Sequence, residues 1–160
     1  MQRKLGQLTG TCFQRCVGMD AFNALHSVTY EIDEKYKTDY HKKFISFLTK
    51  MHESNLVIGG AMTDVKGDRS KPPHQQADQD LYLRVVKRDK KGVYVSGAKA
   101  HQTGCLNSHW MVVMPTLRLT EEDKDYAIVG ALPIESEGIT YIYGRQSCDT
   151  RSMEPGEYDV

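Results

Sequence analysis

The longest apolar run in the chain is "WMVVM", too short for a membrane-spanning helix, and no apolar signal core stands near the N-terminus. Charge of one sign is also missing. Lysine and arginine number 21, aspartate and glutamate 21, and the zero balance leaves no electrostatic footprint for nucleic acid or an anionic membrane. Cysteine is scarce: Cys12, Cys16, Cys105 and Cys148 do not make a disulfide framework in 160 residues without a secretory signal. Together these absences lead us to expect a cytoplasmic protein. There is no internal repeat, no Walker or Rossmann glycine spacing, no HExxH and no Ser-His-Asp or paired-carboxylate set.

What is present suits one domain, or a domain with an appendage from another. Hydrophobic residues make up 39% and charged residues 26%, ordinary for a globular chain. Residues 1–56 read as helical. Phe13, Val17, Ala21, Ala24, Leu25 and Val28 recur at three- and four-residue steps, giving one apolar stripe. Ile32, Tyr36, Tyr40, Phe44, Phe47, Leu48 and Met51 give a second, with Asp33 placed to cap the second helix.

From residue 57 the texture changes. "GGAMTDVKGDRSKPPHQQADQD" is loop text, and structureless loops of that length in compact proteins are often functional. Strand signals follow in "LYLRVVK" and "VYVSG", with Gly92 at the bend of a hairpin, then in "WMVVMPT", "YAIVGALPI" and "ITYIYG". The expectation is an α+β fold: N-terminal helices to residue 56, then an antiparallel, barrel-like β domain over 57–160.

Three stretches could carry chemistry. In "CFQRC", Cys12 and Cys16 sit at i, i+4, which puts their β-carbons roughly 5–6 Å apart on one helix face. That spacing makes a poor disulfide and a reasonable half-site for a metal or iron–sulfur cluster, although two small residues packing a helix explain it as well. In "MTDVKGDR", loop amides with Lys66 and Arg69 could hold a phosphorylated ligand, and Thr63 could donate to a heterocycle; a solvated connector is the plainer reading. In "HQTGCLNSHW", His101 could simply bond a neighbouring carbonyl. Thr103, short and β-branched, would hold its hydroxyl with little rotamer freedom, suiting a fixed donor to a planar ring. His41, His52 and His74 read as surface or packing residues.

The succession "GTCFQRCVGMDAFNAL", "GAMTDVKGDRSKPPHQQAD", "VSGAKAHQTGCLNSHWMVVMPT" resembles, from about Gly10 to the end, the flavoprotein family of 4-hydroxybutyryl-CoA dehydratases and 4-hydroxyphenylacetate 3-monooxygenase large components. That family is related in fold to the acyl-CoA dehydrogenases. The resemblance implies FAD bound between an N-terminal helical, a middle β and a C-terminal helical domain. It places Met62, Thr63, Asp64, Val65, Lys66, Gly67, Asp68 and Arg69 in a flavin loop, and His101, Gln102 and Thr103 in a second flavin contact. Asp68 would lie toward an acyl-CoA substrate, with Thr103 beside both the flavin ring and the thioester as the catalytic contact.

Cys12 and Cys16 resemble two of the four ligands of the dehydratase branch's 4Fe-4S cluster, with Gln14 nearby. The implied activity is radical dehydration of 4-hydroxybutyryl-CoA to crotonyl-CoA, with the cluster as Lewis acid, and isomerisation of vinylacetyl-CoA. The family's C-terminal helical domain, which holds the other cluster ligands, has no counterpart here. The expectation is therefore a chain inactive alone, either a fragment or one piece of a split enzyme whose remainder is another polypeptide, in a family of homotetramers. Trp110 stands where an acidic residue is common. Two rival readings are an aromatic hydroxylase using reduced FAD and oxygen, and a non-catalytic chain that binds nucleotide or oligomerises.

Overall fold

A computed structural model describes residues 4, 7–8, 15–102, 104–142 and 144. Helix α1 runs Arg15–Tyr36 and α2 runs Tyr40–Glu53. The first helix is longer than its apolar stripe suggested: it continues through Ile32, and the break falls at Lys37, whose φ of +55° ends it in the left-handed region. Val28, expected on the buried face, is 47% exposed. Asp33 does cap the second helix, but from the last turn of the first. Its carboxylate accepts from the amides of Tyr40 (2.9 Å) and His41 (2.8 Å), satisfying donors the helix itself cannot.

The second helix ends in a Schellman arrangement. Asn55, at φ +49°, donates to the His52 carbonyl and Leu56 to that of Met51. Leu56 and Met51 then share one apolar cluster, so the cap delivers the chain directly into β1. The helices meet edge-on through Phe22, whose ring centroid lies 5.9 Å from Phe44 and 6.2 Å from Phe47.

Strands β1 (Ile58–Ala61), β4 (Trp110–Val113) and β5 (Gly130–Pro133) form one sheet in the order β1-β4-β5. Between β1 and β4 the chain detours through the hairpin β2 (Arg84–Asp89) and β3 (Gly92–Ser96). The hairpin bends at Gly92 as its sequence suggested and carries a bulge between Val85 and Lys87. The barrel-like expectation is not what the strands show. Among the described residues they make an open three-stranded sheet and a separate hairpin, and β1 pairs with β4 in parallel, Ile58 opposite Trp110. The stretch Ile139–Ile142, read as a strand, is irregular; the Tyr141 hydroxyl donates to the Ile134 carbonyl instead. Leu81 belongs to a 3-10 turn (Gln79–Leu81), and β2 begins only at Arg84.

Strand β4 is the centre of the core, and its period of two explains why. Met111 and Val113 face a cluster with Ala61 and Ile134. Val112 faces the other way, into Met51 and Ile58, with Phe22, Leu25, Phe47 and Trp110 packed around them. The helix pair thus covers one face of the sheet. Burying each large apolar side chain contributes about 1.5–3 kcal/mol, so this doubly covered strand anchors whatever hangs from its ends. Both stretches of chemical interest do: one leaves β1 at Ala61, the other enters β4 at Trp110.

Candidate functional site

The segment leaving β1 and the segment approaching β4 lie side by side. The Ala100 amide donates to the Thr63 carbonyl at 2.8 Å, extending the β1–β4 neighbourhood beyond the strands. One residue earlier, the Lys99 ammonium donates to the Met62 carbonyl (3.1 Å), the Asp64 carboxylate (2.5 Å) and the Met114 carbonyl (2.9 Å). All three of its N–H bonds are used. The Asp64 side chain is 3% exposed and that of Lys99 10%, so the ion pair is buried with its hydrogen bonds made.

Asp64 turns inward, whereas Met62 is 38% exposed and Val65 47%. The loop is held further along. Tyr82 donates to the Lys66 carbonyl at 3.0 Å, and burial, with the Asp64 charge nearby, raises the phenol's pKa above its ordinary value. Buried Gln76 accepts from the Asp68 amide (3.0 Å) and donates to the carbonyls of Asp68 (2.7 Å) and Lys71 (2.9 Å). Asp68 and Arg69 themselves are exposed. The Asp68 carboxyl is held below the usual carboxylate range by hydrogen bonds from Ser70.

Among the described residues, four non-glycine residues adopt positive φ, and their distribution is informative. Lys37 and Asn55 follow helix ends, where the left-handed conformation is routine. Lys66 (φ +80°) and His101 (φ +56°) follow no helix; one sits in each of the two paired segments. Such residues cost of order 1–3 kcal/mol and persist where surroundings over-determine them, commonly around ligands. Gly67 (φ +52°) and Gly104 (φ +78°) continue the same two bends.

Gln102 supplies the most telling atom. Its amide nitrogen donates to the Ala100 carbonyl, while its Oε1 is buried without any hydrogen-bond partner. A buried acceptor left unmatched is costly, and it awaits an N–H from something else. A ligand N–H would match this acceptor, while the exposed Met62 and Val65 lie on the other of the two segments. A small, partly open pocket lined by Asp64, Tyr82, Lys99 and Met114 among others has room for about one water molecule.

Of the residues expected at the site, Met62, Thr63 and Asp64 are bonded to Lys99 and Ala100, which directly precede His101 and Gln102 in the chain. Thr103 and Cys12 lie outside the described residues, and Cys16 is placed only by the helical backbone of α1. Among the described residues, no group of three or more histidine, cysteine, aspartate or glutamate side chains is arranged around a metal position. No helix there is long and apolar enough to cross a membrane. Sequence reasoning missed Lys99, Tyr82 and Gln76. The one available signal was a lone lysine among small residues in "SGAKAHQT".

A helix pair on a small mixed sheet, with two strained segments bonded together at one end, defines the class. The chain belongs to the family described as 4-hydroxyphenylacetate 3-hydroxylase N terminal, which matches residues 1–160. Within that class it is 59% identical, over 98% of its length, to 4-hydroxybutyryl-CoA dehydratase/vinylacetyl-CoA-Delta-isomerase of Clostridium aminobutyricum. It shares 72% identity and a TM-score of 0.90 over 97% of the chain with the solved oxygen-tolerant archaeal 4-hydroxybutyryl-CoA dehydratase from N. maritimus. The oxygenase component of 4-hydroxyphenylacetate 3-monooxygenase complexed with FAD shares the fold at TM-score 0.60 and 23% identity, over 73% of this chain and 24% of its own. The chain spans about a third of the dehydratases' length, 32% and 31% respectively.

Proposed function

We propose that this chain forms the flavin-holding part of a 4-hydroxybutyryl-CoA dehydratase/vinylacetyl-CoA isomerase, converting 4-hydroxybutyryl-CoA to crotonyl-CoA. In this reading residues 1–56 belong to the N-terminal helical domain and 57–160 to the middle β domain of a homotetrameric enzyme. The observation that carries it is the Ala100–Thr63 hydrogen bond, which joins the two segments expected to hold the ring. The identity to two dehydratases supports the choice of branch.

The residues divide the work by chemistry. Met62 and Val65 offer apolar contact to the ring, Gln102 Oε1 an acceptor for a ring N–H, and Lys66 and Gly67 backbone donors. By the family resemblance Thr103 would supply the hydroxyl beside the ring and the thioester, and Asp68 would lie toward the acyl-CoA. Cys12 and Cys16 supply two thiolates to a 4Fe-4S cluster, the other ligands coming from the remaining domain. FAD would supply one-electron chemistry there, and the cluster a Lewis acid toward the departing hydroxyl.

The test is anaerobic purification of the complete assembly containing this chain, reading flavin absorbance, iron content and crotonyl-CoA formation. A folded assembly without flavin overturns the proposal. Replacing Cys12 and Cys16 by serine should remove iron and turnover while flavin stays. Indifference to both replacements, with oxygen-dependent hydroxylation of a phenol, would instead identify a monooxygenase like the relative 25% identical over 77% of the chain.

A further inference from the structure

We propose that Lys99 and Asp64 are a positioning pair for the flavin loop: the ammonium fixes which loop residues face the ring. This rests on the reading of residues 62–69 as that loop. The geometry is a clamp in two layers. The Lys99 side chain takes residues 62 and 64 through the Met62 carbonyl and the Asp64 carboxylate, while the next residue, Ala100, takes the intervening Thr63 carbonyl through its backbone. The third ammonium bond, to the Met114 carbonyl, ties the clamp to the exit of β4, the most buried strand.

The consequence is a fixed alternation. With Asp64 held inward, Met62 and Val65 stand exposed, and the chain turns at Lys66 and Gly67 in the left-handed region. The clamp also neutralises the charge it buries, so no free carboxylate lies under the ring. Neither side chain is on the outer face. The pair acts through the loop, whereas the bend at His101–Gln102 follows two residues after Lys99 and is aligned by the same bonds. The clamp therefore sets the spacing between both walls of the site.

The test uses the complete flavin-containing assembly, with Lys99→Met, Asp64→Asn and the double replacement. Lys99→Met should weaken FAD binding at least tenfold and, in flavin-free protein, speed hydrogen exchange of the Ala100 amide at least tenfold. Asp64→Asn keeps an acceptor for the ammonium and should weaken FAD binding only about threefold. A purely structural pair would lower the thermal midpoint and leave the FAD dissociation constant of the folded fraction unchanged, and that result overturns the proposal. If Lys99→Met does not fold, the double replacement, which buries no lone charge, decides by the same two readings. Wild-type protein that binds no FAD would refute the flavin reading alone. Faster Ala100 exchange in the variants would then still support the clamp, and unchanged exchange would overturn it.

Discussion

His74 and Asp123, forty-nine residues apart, are joined by a 2.8 Å bond between Nδ1 and Oδ1, and the His74 amide reaches the same oxygen at 3.2 Å. The other carboxylate oxygen caps the 3-10 turn Glu121–Tyr126, accepting from the Thr120 amide and hydroxyl. One fully buried carboxylate thus fastens the long loop after β1 to the segment before β5.

Acid should loosen that fastening. Burial pushes the Asp123 carboxyl up, but the bonds from His74 and Thr120 outweigh it and hold its pKa at about 2, below the ordinary 3.8. A folded pKa below the unfolded one stabilises above about pH 4, and the benefit disappears as pH falls through 2. The size is about 2 kcal/mol at neutral pH. Urea midpoints measured from pH 5 to pH 2 should fall steeply in the native chain. Asp123→Asn should be less stable at pH 7 and show a flatter acid limb.

Three glycines should rank by what an added β-carbon meets. At Gly97 (φ +129°) it would stand 2.2 Å from the Tyr82 carbonyl oxygen, against backbone that cannot yield. Gly97→Ala should cost about 3 kcal/mol or more. At Gly67 the nearest atoms belong to the Leu81 and Gln76 side chains, at 2.5 and 2.7 Å, which can shift, so Gly67→Ala should cost less but displace the Gln76 bonds to residue 68. Gly104→Ala meets nothing within 4 Å and should cost about 1 kcal/mol from its positive φ alone. Denaturant titration of the three variants checks the order.

The helix pair should come off the sheet if one side chain is cut back. Met51, 2% exposed, stands between α2 and the Ile58–Val112 face. Met51→Ala should lose about 2–5 kcal/mol. Val86→Ala, on an exposed strand position, should change stability by less than about 0.5 kcal/mol, and thermal melts of the two serve as a pair.

The helices were readable because their apolar residues recur at helical spacing over many turns, and the hairpin because Gly92 marks its bend. Strand β1 was not. "IGGA" carries two glycines and little β signal, and its pairing is with a parallel partner fifty residues away, a relation no local pattern encodes. Ile139–Ile142 failed in the opposite sense, since β-branched and aromatic residues suit any half-buried surface and here Tyr141 packs against the Ile134 cluster without a ladder. In the site, the loop and bend came from family resemblance, whereas the Lys99–Asp64 pair, thirty-five residues apart, could be found only by folding the chain.

Gln102 separates ligand binding from stability by sign. Its nitrogen makes one bond, to Ala100, and its oxygen makes none although buried. Replacing it with leucine removes a favourable bond and an unmatched acceptor together, and these offset to within about 1 kcal/mol. Flavin-free Gln102→Leu should therefore melt close to the native protein. With FAD present the balance changes, because the native oxygen gains a partner and the leucine cannot. One hydrogen bond of about 1.4 kcal/mol corresponds to a tenfold weaker FAD dissociation constant. Equal FAD affinity in native protein and variant would mean that the Gln102 oxygen does not meet the flavin.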